Sequence, residues 1–222
     1  MDPKIGSMSS LSPVKDRLIR TALLAAIGLC LGALIAGVSA LSSKKNDNTP
    51  AILNVAGVGG PFELTDQDGK TRSEKDFAGK YKLIYFGFTS CPAICPTELQ
   101  KTAEAYKELS DSQKDQIQLI FITVDPERDT AKVLKKYVEL FDPSMVGLTG
   151  TLEQIEAVKS EFKVYAAKVP DGPSKDDYTM DHSSFIYFMS PDDKLITLFK
   201  TQQTASEMED FIRKYLKKNA GK

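Results

Sequence analysis

The run Tyr81-Lys-Leu-Ile-Tyr-Phe-Gly-Phe88, followed directly by Thr89-Ser-Cys91-Pro-Ala-Ile-Cys95-Pro96-Thr-Glu-Leu99, decides how this chain is read. Its first half is a near-continuous apolar run rich in β-forming residues, the pattern of a strand covered on both faces. Its second half is broken by two prolines and then resumes with helical spacing, so the strand feeds a turn and a helix reaching about Leu109. Pro96 is expected at the first helical position, with Cys95 just before it. Both sulfurs then lie at or beside a helix N-terminus, where free N–H groups and the positive dipole end predict thiol pKa values below the usual ~8.5.

Outward from this stretch, apolar runs alternate with helical patterns. Gln118 to Val124 reads as a second buried strand. Asp129 is expected to cap a helix through Phe141, whose apolar positions Val133, Leu134, Tyr137, Val138 and Phe141 keep helical spacing. Thr151 is expected to cap another through about Phe162, with Glu153 and Gln154 in its first turn. A hairpin follows, Ser184 to Ser190 and Lys194 to Phe199 around Pro191-Asp-Asp193, then a closing helix from about Ala205 to Lys217. Upstream, Phe62 to Thr65 and a short partner after Asp68-Gly69 form a small ribbon. Two β-α units, then a hairpin and a last helix, predict an α/β thioredoxin-like three-layer sandwich with an N-terminal β-ribbon and one added helix.

Ahead of the domain, Thr21 to Ser43 are twenty-three consecutive uncharged residues. As a helix they reach about 34 Å, against a hydrocarbon core of roughly 30 Å. A cleaved signal peptide is the alternative, since Val38-Ser39-Ala40 resembles a cleavage site, but its apolar stretch would be only about 7 to 15 residues. Lys15, Arg17 and Arg20 before the span outnumber Lys44 and Lys45 after it, which keeps the N-terminus on the cytoplasmic or matrix side. The expected organisation is an N-terminal segment 1–17, a transmembrane helix 18–43, a linker 44–60 and a folded domain 61–222. Composition agrees with a folded domain: 41% of the 222 residues are hydrophobic, which excludes a generally disordered chain. A formal net charge of -1 argues against nucleic acid as a partner.

The chain has three cysteines and a single histidine. Cys30 falls in the expected membrane span, whereas Cys91 and Cys95 sit where open α/β sheets collect ligands, at the carboxyl end of a strand. Two such cysteines can be simple core residues or a redox pair, although three intervening residues depart from the thioredoxin Cys-x-x-Cys spacing. His182, in Tyr178-Thr-Met-Asp-His-Ser-Ser-Phe-Ile-Tyr187, precedes the hairpin strand expected beside the central strand, so its loop can overhang the cysteine turn. Two thiolates and an imidazole make a soft three-ligand set that suits copper better than a structural zinc, which ordinarily takes a fourth protein ligand. Asp181 is a candidate to orient the imidazole. Turn and cap chemistry is sufficient to explain Asp125 to Thr130.

Taken in order, Gly-Gly-Pro-Phe62, Tyr-Phe-Gly-Phe-Thr-Ser-Cys-Pro-Ala-Ile-Cys-Pro96, Val-Asp-Pro-Glu-Arg-Asp-Thr130, Gly-Leu-Thr-Gly150 and Asp-His182 resemble the Sco family, thioredoxin-like copper chaperones of cytochrome c oxidase assembly. The likeness covers essentially Gly59 to Leu216. It implies that Cys91, Cys95 and His182 bind copper, as Cu(I) and also as Cu(II), and that the protein loads the binuclear copper centre of cytochrome c oxidase subunit 2 from a copper donor chaperone. It equally implies a thiol-disulfide exchange role for Cys91 and Cys95 at that subunit's cysteines, and the shared scaffold leaves a peroxiredoxin-like peroxidase as a third reading. The family's setting is the mitochondrial inner membrane, with the domain in the intermembrane space, or the bacterial inner membrane, with the domain in the periplasm. The mitochondrial setting is the expectation here.

Overall fold

The structure is a computed structural model, and it describes residues 22–29, 50–52, 57–174 and 177–220. The chain divides into two units, Met1–Asp47 and Asn48–Lys222. In the first, helix α1 at 22–29 is described and is exposed. The rest of the expected span 18–43, with Cys30, and the segment 1–17 lie outside the described residues. Among the described residues no helix is long and apolar enough to cross a membrane.

The second unit is built on the quoted run. Strand β3 (Tyr81–Gly87) buries everything after Tyr81. It pairs in parallel with β4 (Ile117–Thr123), with Tyr85 opposite Phe121, and β4 pairs in parallel with β5 (Val146–Thr149). On its other side β3 pairs antiparallel with β8 (Ile186–Met189), which pairs with β9 (Leu195–Phe199). The ribbon β1 (Glu63–Asp66) and β2 (Thr71–Ser73) extends the sheet past β5, giving the order β2-β1-β5-β4-β3-β8-β9. This mixed sheet has the thioredoxin-like topology that the element order predicts.

Ring contacts locate the helices around it. Tyr85 and Phe121 stack, and Phe121 meets Tyr137 of α4 (Ala131–Val138). On the same face, Phe188 meets Phe211 and Tyr215 of α6 (Ala205–Asn219). The opposite face carries Phe86, which meets Phe162 at the end of α5 (Leu152–Phe162). Helix α2 (Ile94–Lys107) follows β3, and the single turn α3 (Asp111–Lys114) leads into β4.

Local structure departs from the sequence reading at several points, among them the end of α4, which stops at Val138 and not at Phe141. Helix α2 begins at Ile94 with Ala93 as its cap, so Cys95 and Pro96 occupy the second and third helical positions. A proline is tolerated there because those first-turn N–H groups have no intrahelical partner. Thr130, and not Asp129, caps α4, its hydroxyl accepting from Val133 N–H at 3.4 Å. Strand β5 forms from the short Val-Gly-Leu-Thr149 stretch, which carries no strand signal of its own. His182 is not in a loop: it ends β7 (Tyr178–His182), which pairs with β6 (Ala166–Pro170) as a separate two-stranded sheet. Helix α5 agrees with expectation, since Thr151 and Gln154 form a reciprocal capping box.

Candidate metal centre

The site forms where β3 ends. Phe88 leaves the strand, Cys91 N–H returns to the Phe88 carbonyl at 3.3 Å, and the chain turns into α2. The turn is held from below by Asp129. Its carboxylate accepts from Thr89 N–H at 3.0 Å, from Thr89 Oγ1 at 2.5 Å and from Thr123 Oγ1 at 2.6 Å. Burial raises the pKa of Asp129 despite those donors. The residue expected to cap a helix is instead the hub that fixes the cysteine turn to the end of β4.

Cys95 is fully buried and Cys91 is 9% exposed, and both are free thiols. Cys95 N–H donates to Cys91 Sγ at 3.4 Å. His182 is half-buried, with its Nε2 3.4 Å from Cys95 Sγ. Its ring lies edge-on to Tyr85 and Phe88, with centroids 6.2 and 5.8 Å away. The structure therefore brings together two elements 87 positions apart, the start of α2 and the end of β7.

Asp181 does not orient the ring. It is exposed, and the partner of His182 Nδ1 is the backbone carbonyl of Ser183 at 3.0 Å. A carbonyl can only accept, so Nδ1 carries the proton and Nε2 presents its lone pair toward Cys95. Burial holds the imidazole below its usual pKa, against smaller opposing effects of the Ser183 carbonyl and Asp181, and so keeps that lone pair free.

At Cys95 the electrostatics reverse the sequence expectation. Burial pushes Cys95 up to about 12, and the helix start does not compensate. A sulfur buried away from water holds charge poorly, so Cys95 stays a thiol until a base takes its proton or a bound cation displaces it to solvent. Tyr85 is raised as well, by burial first and by nearby Cys95 second. Its hydroxyl is buried and interacts with Cys95 and Ser184.

Gly87 makes the close approach possible. A Cβ there would meet Cys95 Sγ at 2.9 Å and Tyr85 Cε1 at 2.9 Å, so only glycine lets the buried sulfur lie against the strand. Among the described residues no three His, Cys, Asp or Glu side chains already surround a metal-sized point. Cys95 Sγ and His182 Nε2 already stand 3.4 Å apart, and Cys91 Sγ accepts from the Cys95 amide. The chemical character of the set, two sulfurs and one imidazole nitrogen, suits a soft ion of low coordination number.

Comparison with known proteins fits this geometry. The family described as SCO1/SenC matches residues 51–217. The chain belongs to the SCO1/SenC family. It is 37% identical over 204 residues to the protein named SCO2 homolog, mitochondrial, of Bos taurus, covering 91% of this chain and 76% of that one. It is 40% identical over 173 residues to the protein named sco1 of Schizosaccharomyces pombe, covering 78% of this chain and 66% of that one. Among solved structures, copper-bound ScoI of Bradyrhizobium japonicum superposes with a TM-score of 0.65 at 43% identity, covering 72% of this chain and 99% of that one. The SCO1/SenC match runs through β3, α2 and β7, and so includes Cys91, Cys95 and His182.

The sequence signals for Cys91, Cys95 and His182 are their place at a strand's end and the uniqueness of the histidine. Gly87, Tyr85 and Asp129 belong to the site as well, and sequence reasoning missed them. Of these, Gly87 alone carries a usable signal, a glycine inside an otherwise bulky strand, which marks a close approach.

Proposed function

We propose that this protein is a copper-carrying metallochaperone that holds the ion through Cys91, Cys95 and His182. The observation that carries the reading is the imidazole lone pair 3.4 Å from a buried cysteine sulfur at the carboxyl end of the central strand. Copper is cargo here. Cu(I) replaces the thiol protons, so uptake releases protons and weakens as pH falls. A bound cation also removes the desolvation penalty that otherwise keeps Cys95 protonated. Three protein donors leave Cu(I) open to an incoming ligand, so a donor and an acceptor can share the ion during transfer.

Family membership supports assigning the cargo's destination to the binuclear centre of cytochrome c oxidase subunit 2, supplied by a copper donor chaperone. It also supports an anchored protein, with 18–43 crossing the membrane, 44–60 as linker and 61–222 as the copper-binding domain. The mitochondrial inner membrane, with the domain in the intermembrane space, is the proposed setting. A bacterial inner membrane, with the domain in the periplasm, is the alternative.

A second reading, thiol-disulfide exchange on cysteines of an oxidase subunit, is favoured by the contact between Cys95 N–H and Cys91 Sγ, which keeps the two residues together. In that reaction the two thiols lose two protons and two electrons to the disulfide being reduced. Copper analysis and absorption spectroscopy of the reduced protein separate the two. Wild type is expected to hold about one copper per chain and His182→Ala to lose most of it, with dithiol exchange retained. Equal copper in both proteins would refute the ligand role of His182.

A further inference from the structure

The strands of the β6–β7 ribbon pair with each other and not with the main sheet. The main sheet resumes at Ile186, which pairs with Tyr85 four residues after His182, so its hydrogen bonds hold the His182 end of the ribbon only through residues 183–185, and side chains must hold the rest. Alternation along β7 puts Tyr178, Met180 and His182 on one face. That face meets the body of the domain: Met180 packs against the core, and His182 packs against Tyr85 and Phe88.

Tyr178 makes the most specific of these contacts. Its hydroxyl donates to Asp125 Oδ1 at 2.9 Å, and Asp125 is 1% exposed. The Arg128 guanidinium lies over the Tyr178 ring with Cζ 3.8 Å from the centroid, and its Nη1 donates to the Tyr178 carbonyl at 2.8 Å. Arg128 Nε is paired with Asp125 Oδ2. Lys168 Nζ approaches the same ring at 4.6 Å and pairs with Glu127. The ring is thus contacted by two cations, with carboxylates from one turn neutralising both. Arg128 also stands 5.9 Å from the centroid of Phe88, the ring that His182 packs against. Turn chemistry alone requires none of these contacts with β7.

We propose that Arg128 and Tyr178 form a latch that positions His182 over Cys95. Asp125 is the buried anchor that both grip. The latch closes on the first residue of β7 and the imidazole is carried by its last, so freeing Tyr178 loosens the ribbon and weakens the hold of the third copper donor. Arg128 and Tyr178 are positioning residues that act through the ribbon, and their effect on copper rests on the reading of His182 as a ligand.

The single histidine makes the test direct, because the copper-free protein gives one set of imidazole NMR signals. Tyr178→Leu removes the ring, Tyr178→Phe keeps the ring and drops the bond to Asp125, and Arg128→Lys keeps the charge and drops the flat stack. In Tyr178→Leu and Arg128→Lys the imidazole signals are expected to lose the ring-current shifts from Tyr85 and Phe88 and to move toward solvent-exposed values. Copper(I) release to a chelator should speed up roughly tenfold, the scale seen for groups that orient a metal ligand. Tyr178→Phe should fall between these variants and wild type. Amide signals of β3, β4 and α6 should stay at wild-type values. Unshifted imidazole signals in Arg128→Lys and Tyr178→Phe would overturn the latch, whether or not copper release changes. Wild-type copper retention in His182→Ala would overturn the ligand reading, and the imidazole shifts of the latch variants would then decide the latch by themselves.

Discussion

At the scale of single residues, the site is governed by what one missing methyl group permits. Gly87 has its Cα side against Cys95 Sγ, Tyr85 and Phe121, with a Cβ position within 3.2 Å of all three. Gly87→Ala must push the sulfur off the strand or shift the α2 start. Overpacking of this kind costs about 1–3 kcal/mol. The expected outcome is a lowered denaturation midpoint together with slower copper capture, read by urea unfolding and by stopped-flow absorbance. A variant that keeps wild-type stability would show that the strand end yields easily. Cys91, Cys95 and His182 are legible in the sequence as candidates because rarity and position single them out. Their protonation is not, because Cys95 is set by burial and the helix start alone suggests the opposite sign.

At the scale of elements, the β8–β9 hairpin shows how ionic groups complete a turn. Lys82 of β3, although in a central strand, is 2% exposed. Its Nζ donates to the Ser190 carbonyl at 3.1 Å and to Asp193 Oδ1 at 2.5 Å. Beside it Asp192 is held down to about 2, first by Lys194 at 2.6 Å and then by the Ser190 hydroxyl at 2.5 Å. A carboxylate whose folded pKa lies below its unfolded value of 3.8 stabilises the fold above that value, and the contribution is lost as pH falls from about 4 toward 2. Because Asp192 is 59% exposed at its side chain, solvent screening keeps the effect under about 1 kcal/mol. Asp192→Asn is expected to flatten the acid limb of stability between pH 4 and 2, measured by thermal melts at stepped pH. An unchanged acid limb would assign that dependence to other carboxylates. The elements themselves are largely readable: β3, β4, α5 and α6 follow from apolar runs, helical spacing and cap residues. The ribbon β6–β7 is not, because Ala166–Pro170 and Tyr178–His182 have half-exposed faces and no apolar run.

At the scale of the whole molecule, one core joins the sheet to its helices. Phe188 is fully buried, and its ring meets Tyr81, Phe199, Phe211 and Tyr215 with centroids 5.6 to 6.4 Å away. Four elements therefore share a single aromatic cluster. Phe188→Ala is expected to cost about 3–5 kcal/mol, the range for deleting a buried aromatic ring. Guanidinium unfolding followed by tyrosine fluorescence and by circular dichroism should show both signals moving together to a lower midpoint. Separate transitions would mean that the β8–β9 end and the cysteine-turn end of the sheet unfold independently. Excess copper(I) should move the midpoint upward by mass action, since an ion bound only by the folded site adds its binding free energy to stability.

The sequence alone determined the order of strands and helices and which residue types could bind a soft metal. These are local properties, written in periodicity, caps and the rarity of cysteine and histidine. Only the tertiary structure decided that His182 reaches Cys95, that Asp129 braces the cysteine turn and that Arg128 grips Tyr178. Each of those contacts joins residues distant along the chain, and the distance between them is set by how strands register and side chains fill the space between layers.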